Sequence, residues 1–118
     1  MPTYYQEERM SYFKDARDRD PMTLVPGAIT RTFWGDNILL SLVEIEANSE
    51  VPRHTHPHEQ AGILIEGEME MGIGGEVRVM KPGDMYIIPA NVEHYARCGD
   101  TSAKALDIFS PVREEFKY

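Results

Sequence analysis

The chain has 118 residues, of which 42% are hydrophobic, and its formal net charge is -8. This length and apolar content are typical of a single globular domain and argue against general disorder. So acidic a protein repels phosphate backbones, which argues against nucleic acid as a partner. The only cysteine, Cys98, excludes an internal disulfide and a cysteine-rich zinc cage, and no apolar run is long enough to cross a membrane.

The first residues show neither a targeting segment nor a regular period. Residues 1–8 lack the basic and then apolar pattern of a signal peptide, so a cytoplasmic location is expected. Residues 1–22 are predicted to form an N-terminal arm, and residues 23–118 a single domain. The arm is either a polar lead-in with one short turn or a segment that packs on a partner subunit, because exposed aromatic side chains are costly. The aromatic residues concerned are Tyr4, Tyr5, Tyr12 and Phe13.

From residue 27 onward, short apolar segments alternate with turn residues. In residues 68–73 apolar side chains alternate with glutamates or glycine, which is the pattern of a half-buried strand, and Gly74 and Gly75 predict a hairpin turn. Turn residues recur about every eight positions and no helical period is present, so the pattern predicts an all-β sandwich or small barrel. Strands are predicted over residues 27–34, 38–46, 61–65, 69–73, 76–80, 85–88, 94–98 and 104–109.

Three of the four histidines lie within residues 51–60. In an extended chain, residues two apart face the same side, so His54 and His56 can present two imidazoles to one point. Gln60 can return to that point if Pro57 bends the chain, and imidazole suits Zn, Cu, Fe and Ni. A lone His-x-His pair could also be a polar strand edge, but a third ligand type and a distant histidine accompany this one. The sequence therefore predicts a metal site with the ligands His54, His56, Gln60 and His94.

Two neighbouring residues are expected to serve this site without binding the metal. His58 is predicted to lie behind the ligands or at the rim, because four-coordinate sites are complete without it. The alternative is that His58 itself binds the metal. Glu59 is predicted to orient a neighbour by hydrogen bonding, since histidine ligands commonly have carboxylate partners.

Two stretches resemble the paired motifs of the cupin superfamily. They are His54-x-His56-x-x-x-Gln60 followed after six residues by Gly67, and Gly83 followed after five residues by Pro89-x-Asn91-x-x-His94. The resemblance implies a double-stranded β-helix, or jelly-roll, barrel with one divalent metal in its mouth (Mn, Ni, Fe or Zn). It also implies a homodimer, which small barrels of this kind often form. Gln60 replaces the usual acidic ligand, so four neutral ligands would leave the metal its full charge, which favours binding an anion or polarising an oxygen.

A narrower resemblance lies in residues 105–116, which look like the ending of the pectin-degradation protein KdgF family; residues 54–60 are similar to that family's metal loop. It implies a metal-dependent enzyme that converts 4,5-unsaturated monouronates, released from pectin or alginate, into open-chain 5-keto-4-deoxyuronate. The substrate is then a small anionic sugar. The family's metal ligands match His54, His56, Gln60 and His94. Its functional aspartate, phenylalanine and arginine match Asp107, Phe109 and Arg113.

The residues of this segment each allow two interpretations. Asp107 lies between apolar residues of a strand, so its carboxylate is either an acid–base group or a structural one paired with a lysine or a backbone donor. Arg113 either holds a substrate carboxylate by a bidentate fork or forms a surface ion pair with Glu114 or Glu115. Phe109 is either core or a wall that faces the sugar.

Two other functions are consistent with the same residues. One is a non-catalytic cupin module that binds a metal and a small ligand. The other is a metal-dependent cupin dioxygenase. Oxygen-dependent turnover with Fe(II) would separate the dioxygenase from the uronate enzyme, and ligand binding without any activity that depends on Asp107 would favour the module.

Overall fold

The computed structural model describes residues 11–118, which form ten β-strands and two one-turn 3-10 helices. The helices are Ala16–Asp18 and Glu114–Phe116. The strands in chain order are β1 (Met22–Val25), β2 (Ala28–Trp34), β3 (Leu39–Ile45), β4 (Glu50–His54), β5 (Glu59–Gly67), β6 (Met69–Ile73), β7 (Glu76–Met80), β8 (Met85–Ile88), β9 (His94–Arg97) and β10 (Ala103–Ser110).

The strands form two antiparallel sheets that share one core. The six-stranded sheet has the order β1-β2-β3-β10-β5-β8, and the four-stranded sheet has the order β4-β9-β6-β7. The chain crosses repeatedly between the sheets, so that β3, β10 and β5 lie side by side although they are distant in sequence, as in a jelly roll. The predicted all-β jelly-roll barrel is thereby confirmed. Within residues 11–118, no helix has the length and apolar composition required to cross a membrane.

Alternation along the strands decides which side chains face the barrel interior. Every second residue of β3 is buried from Leu39 to Ile45, and every second residue of β10 is buried from Ala103 to Phe109. This follows because successive side chains of a strand point to opposite faces. Leu64 on the neighbouring β5 is fully buried at the centre of the interior cluster. The interior is therefore assembled from alternate residues of strands on both sheets.

The structure adds two strands that the sequence did not predict, β1 and β4. β4 contains Pro52 and shows no regular burial alternation. β1 has only four residues between Pro21 and Pro26, too few to show a strand alternation. The other strands fall where they were predicted, with differences of a few residues at their ends. Cys98 is buried, and burial raises the pKa of its thiol.

The predicted N-terminal arm lies only partly within the described residues. Tyr12 and Phe13 are 97% and 89% exposed, whereas Tyr4 and Tyr5 lie outside the described residues. The packing of this arm on a partner subunit stays a prediction, as does the boundary between the arm and the barrel at residue 22.

Candidate metal centre

The predicted ligands come from both sheets and meet at one end of the barrel. In the four-stranded sheet, His54 at the end of β4 pairs directly with His94 at the start of β9. In the six-stranded sheet, Gln60 on β5 lies opposite Phe109 on β10. Directly opposed residues of an antiparallel ladder share one face, and both Gln60 and His94 are buried. The strand register therefore places side chains from both sheets in the same part of the barrel interior.

His56 reaches this point from the loop between β4 and β5. The carbonyl of His56 accepts a hydrogen bond of 2.9 Å from the backbone N–H of Asn91. Asn91 adopts a left-handed φ of 65° in the turn before β9, a conformation that asparagine tolerates better than most residues. The bond joins the two loops that flank the site, and the ring centroids of His56 and His94 are 4.8 Å apart.

Backbone carbonyls hold the three imidazoles in matching orientations. Each Nδ1–H donates to a carbonyl two residues away: His54 to Pro52 at 2.8 Å, His56 to His58 at 3.0 Å and His94 to Val92 at 2.9 Å. A carbonyl only accepts, so a neutral ring held in this way presents the lone pair of its Nε2. Metal-binding histidines are commonly fixed through their second nitrogen in this manner. One ligand nitrogen from each of the three histidines lies within 4.8 Å of the other two.

Two polar atoms of this cluster match what a bound cation would require. The Nε2 of His94 is buried and has no hydrogen-bond partner among the described residues. The Nε2 of His56 lies 3.0 Å from Oε1 of Gln60, and with the proton on Nδ1 these atoms are two acceptors facing each other. A cation bound by both would turn this unfavourable contact into a favourable one. The residues present therefore fit a divalent transition metal, which accepts imidazole nitrogen and amide oxygen.

Burial also keeps two of these histidines in the state that binds metal. Burial lowers the pKa of His94 to about 4. Burial lowers the pKa of His56 as well, and the nearby positive charge of Arg113 adds to the effect. Both rings are therefore neutral at physiological pH, as a metal ligand must be.

His58 and Glu59 lie beside the cluster without joining it. His58 contributes its backbone carbonyl to His56, and the centroids of the two rings are 5.7 Å apart. Glu59 and Gln60 are adjacent on β5 and therefore point to opposite faces of the sheet, so Glu59 is exposed whereas Gln60 is buried. Within residues 11–118, no neighbour donates a hydrogen bond to the Glu59 carboxylate, so the orienting contact expected of it is not found there. The position of His58 agrees with the rim or supporting role predicted for it.

The buried carboxylate of Asp107 lies next to this cluster. It accepts a hydrogen bond of 2.5 Å from the hydroxyl of Tyr86. Burial raises the pKa of Asp107 to about 6, although Tyr86, the Gln60 amide and the positive charge of Arg113 act to lower it. The partner of the carboxylate is thus a tyrosine rather than the lysine or backbone donor of the structural alternative. Its pKa suits proton transfer near neutral pH.

The sequence analysis missed Tyr86 and Gly62. Both lie in the cross-strand row that contains Asp107, since Asp107 on β10 is opposite Gly62 on β5, which is opposite Tyr86 on β8. A Cβ atom at Gly62 would lie 2.3 Å from the Tyr86 hydroxyl oxygen and 2.5 Å from Oδ1 of Asp107. Glycine at this position therefore allows the tyrosine and the carboxylate to meet. The available signal was a single glycine inside an apolar strand, which often marks a close approach.

Arg113 and Phe109 lie at the same end of the barrel. The guanidinium of Arg113 packs over the rings of Phe116 and Phe109, at 4.1 and 5.2 Å from their centroids. Its Nε donates a 2.6 Å hydrogen bond to the carboxylate of Glu115. Arg113 thus forms one of the two alternative ion pairs and still lines the cavity. Phe109 is buried against the His56 ring and also lines the cavity, so it serves as core and as wall.

One cavity of about 330 Å³ connects these groups. Its polar end is lined by His54, His94, Gln60, Asp107, Tyr86 and Arg113, and its far end by apolar side chains. The volume is near the lower limit for ligand pockets and suits a small molecule. The site therefore combines a histidine cluster, a buried carboxylate and an arginine around one cavity.

Comparison with known proteins places this architecture in a family. Residues 41–109 match the family model described as the cupin domain. The chain belongs to the cupin family. It is also 30% identical over 108 residues to the pectin degradation protein KdgF of Dickeya dadantii, an alignment that covers 89% of this chain and 96% of that protein. The predicted resemblance to both the cupins and the KdgF family is confirmed.

Solved structures show the same fold. An RmlC-like cupin from Shewanella frigidimarina matches with a TM-score of 0.85 and 25% identity, over 91% of this chain and 96% of that one. KdgF from Halomonas sp. matches with a TM-score of 0.84 and 24% identity, over 92% of this chain and 100% of that one. The similarity to the Halomonas structure shows a shared fold and nothing more, because the sequence identity is only 24%.

The raised pKa of Asp107 predicts an effect of pH on stability in metal-free protein. The folded state holds the Asp107 proton up to about pH 6, whereas an unperturbed aspartate has a pKa of 3.8. Between these values the folded state binds more protons than the unfolded state, so the contribution of Asp107 to stability falls as pH rises. We expect this effect to lower the unfolding free energy of wild type between pH 3.5 and pH 7.5. Relative to Asp107→Asn, wild type should lose roughly 3 kcal/mol over this range.

Denaturant unfolding of both metal-free proteins at the two pH values gives this difference. The other titratable groups are common to both proteins, so their contributions cancel in the comparison. Asp100→Asn, which changes an exposed carboxylate, should behave as wild type does. An equal pH dependence in wild type and Asp107→Asn would show that the pKa of Asp107 is not raised.

Proposed function

We propose that this cupin is a metal-dependent enzyme that converts 4,5-unsaturated monouronates into open-chain 5-keto-4-deoxyuronate. The observation that carries the proposal is the meeting of a three-histidine cluster, the buried Asp107 and Arg113 in one small cavity. The similarity to KdgF over nearly the whole of both chains supports this substrate class. The reaction needs a group that moves protons, a cation for the carboxylate and a cavity of the size of a small sugar, and the site offers all three.

His54, His56, Gln60 and His94 would hold the metal, which is Mn, Ni, Fe or Zn. When bound, the metal supplies positive charge that holds and polarises oxygen atoms of the sugar. The carbonyl bonds to each Nδ1 fix the imidazoles before a ligand arrives, so the site needs little rearrangement. Because all four ligands are neutral, no carboxylate ligand offsets the positive charge that an anionic sugar meets.

Asp107 would transfer the protons. Hydration of the enol ether places a proton on C4 and the hydroxyl of water on C5. The resulting C5 hemiketal collapses when its hydroxyl proton leaves and the C5 carbonyl forms. The bond from C5 to the ring oxygen breaks in the same step, and the ring oxygen takes up a proton and becomes a hydroxyl group. A carboxyl group whose pKa is about 6 can both give and accept a proton near neutral pH. Tyr86 holds one oxygen of this group in place, since its hydroxyl donates to Oδ1.

Arg113 would bind the sugar carboxylate, with Phe109 as a wall of the pocket. Stacking on two phenylalanine rings restricts the guanidinium, which lowers the entropy lost when it binds an anion. The ion pair with Glu115 keeps it oriented before the substrate enters. Glu115 is exposed, so this pair is weak enough to be exchanged for a substrate carboxylate.

Loss of ultraviolet absorbance by 4,5-unsaturated galacturonate measures the proposed activity directly. We expect protein loaded with one of Mn, Ni, Fe(II) or Zn to accelerate this loss. Asp107→Ala should lower the rate by roughly 100-fold or more, the usual contribution of acid–base catalysis. His94→Ala should lower it through loss of metal. Arg113→Ala should raise KM for the anionic sugar, whereas Arg97→Ala, which removes an exposed arginine paired with Glu70, should not.

The controls separate this function from the two alternatives. Each variant is first shown to be folded and its metal content is measured. No acceleration with any of the four metals, in folded and loaded wild type, would refute the uronate reaction. Oxygen consumption with Fe(II) would then indicate a dioxygenase, and ligand binding without turnover would indicate a non-catalytic module.

We also propose that two copies form a homodimer through the outer face of the six-stranded sheet. The register aligns two rows across β3, β10, β5 and β8 that contain no charged residue. Met85 and Ile87 at the edge of this face are 74% and 67% exposed. With a net charge of -8, copies repel each other except where they meet through uncharged surface. The rows are Leu40, Ile108, Ala61 and Ile87, and Leu42, Leu106, Ile63 and Met85.

Sedimentation equilibrium of the full chain tests this interface. We expect a mass of two chains in wild type. Ile87→Lys should shift the mass to one chain, because it places two charges in the same uncharged contact. Val77→Lys, an equal change at an exposed position of the other sheet, should remain dimeric. A wild-type mass of one chain would exclude the dimer.

A further inference from the structure

The cavity changes from polar to apolar at one level of the barrel. Two interior rows of the six-stranded sheet show this, since Ser41, Asp107 and Gly62 are paired in one row, and Val43, Ala105 and Leu64 in the next. The four-stranded sheet changes in the same direction, from His94 to Ala96 along β9, and Ala96 is paired with Met71 and Val51. Each sheet thus places its polar interior residues at the end with the histidines and its apolar ones farther in.

The apolar half of the cavity offers no side-chain partner for a hydroxyl group. Its walls within the described residues are Leu24, Val43, Ile45, Met69, Met71 and Ala96, together with neighbouring apolar side chains. The polar side chains at the boundary are already engaged: Ser41 shares a 2.5 Å hydrogen bond with Thr30, and Tyr86 donates to Asp107. Because an unpaired polar group is costly to bury, a ligand made only of hydroxyl groups would fill this half poorly.

Small side chains contribute to the space. Ala105 from the six-stranded sheet and Ala96 from the four-stranded sheet line the cavity and are 4% and 8% exposed. Protein interiors are normally packed without voids of this size. An apolar cavity that is connected to a polar site suits the apolar part of a ligand.

We propose that the cavity binds small carboxylic acids that carry an unbranched apolar chain. The carboxylate lies at the polar end, near Arg113 and the histidine cluster, and the chain extends between Ala96 and Ala105. This assignment goes beyond the uronate reaction and does not depend on it, because the sugar would use the polar half alone. The site therefore accepts an amphipathic acid, either as a second substrate class or as a competing ligand.

The probe is a series of straight-chain carboxylates from acetate to octanoate. Their dissociation constants are measured by calorimetry on the full chain loaded with Zn. We expect the constant to fall roughly threefold to fourfold with each added methylene, the usual gain for burying one such group. The trend should stop at the chain length that fills the apolar half. Acetate should bind through its head group alone.

Two matched substitutions locate the binding of the chain. Ala105→Leu fills the apolar half and should abolish the dependence on chain length while acetate binding is retained. Ala47→Leu makes the same change at an exposed position of the loop between β3 and β4, outside the cavity, and should leave the dependence intact. Ala96→Leu fills the cavity from the opposite sheet and serves in its place if Ala105→Leu does not fold.

The possible outcomes separate this inference from the uronate reaction. Affinity that does not change from acetate to octanoate in wild type would refute the apolar subsite. A chain-length dependence that persists in both folded cavity-filling variants would also refute it, because the chains would then bind elsewhere. Failure of uronate turnover would leave the carboxylate series unaffected, and a flat carboxylate series would leave uronate turnover unaffected.

Discussion

The direct pairing of His54 with His94 across β4 and β9 is the constraint on which the site depends. A shift of one residue in this register would turn one of the two imidazoles to the opposite face of the sheet. The same barrel end receives Gln60 from the other sheet and His56 from a loop tied to Asn91. Backbone carbonyls then hold each ring through its Nδ1. The Nε2 atoms therefore converge because of the main-chain geometry, which mutation of neighbouring side chains would not remove. The fold thereby orients a histidine cluster that is compatible with a metal site.

Gln60 links this cluster to the proposed chemistry. A glutamate at position 60 would place a second carboxylate beside Asp107, and two such groups cannot both ionise easily in a buried site. The amide avoids that conflict and instead lowers the pKa of Asp107. Its oxygen still faces Nε2 of His56. In the proposed mechanism, glutamine at this position keeps the ligand set neutral and leaves the adjacent carboxyl group of Asp107 to move protons.

Local patterns were sufficient to predict eight of the ten described strands and to indicate the histidine cluster. Alternation identified β6 and β7 directly, and the short spacing between His54 and Gln60 indicated one site because a single bend brings these residues together. Pairings between distant strands were not predictable in the same way. The contact of Tyr86 with Asp107 depends on β8 and β10 lying on either side of β5, and on a glycine at position 62. The ion pair of Arg113 with Glu115 was one of two stated alternatives, and spacing alone could not decide between them.

X-ray absorption at the zinc edge tests the central claim, which is that this barrel end binds a metal through three imidazoles and an amide oxygen. The spectrum of Zn-loaded wild type should show three imidazole ligands together with oxygen. His94→Ala should lose one imidazole from this shell, and His58→Ala should retain all three. Fewer than three imidazoles in wild type, or the loss of one in His58→Ala with none lost in His94→Ala, would contradict the account.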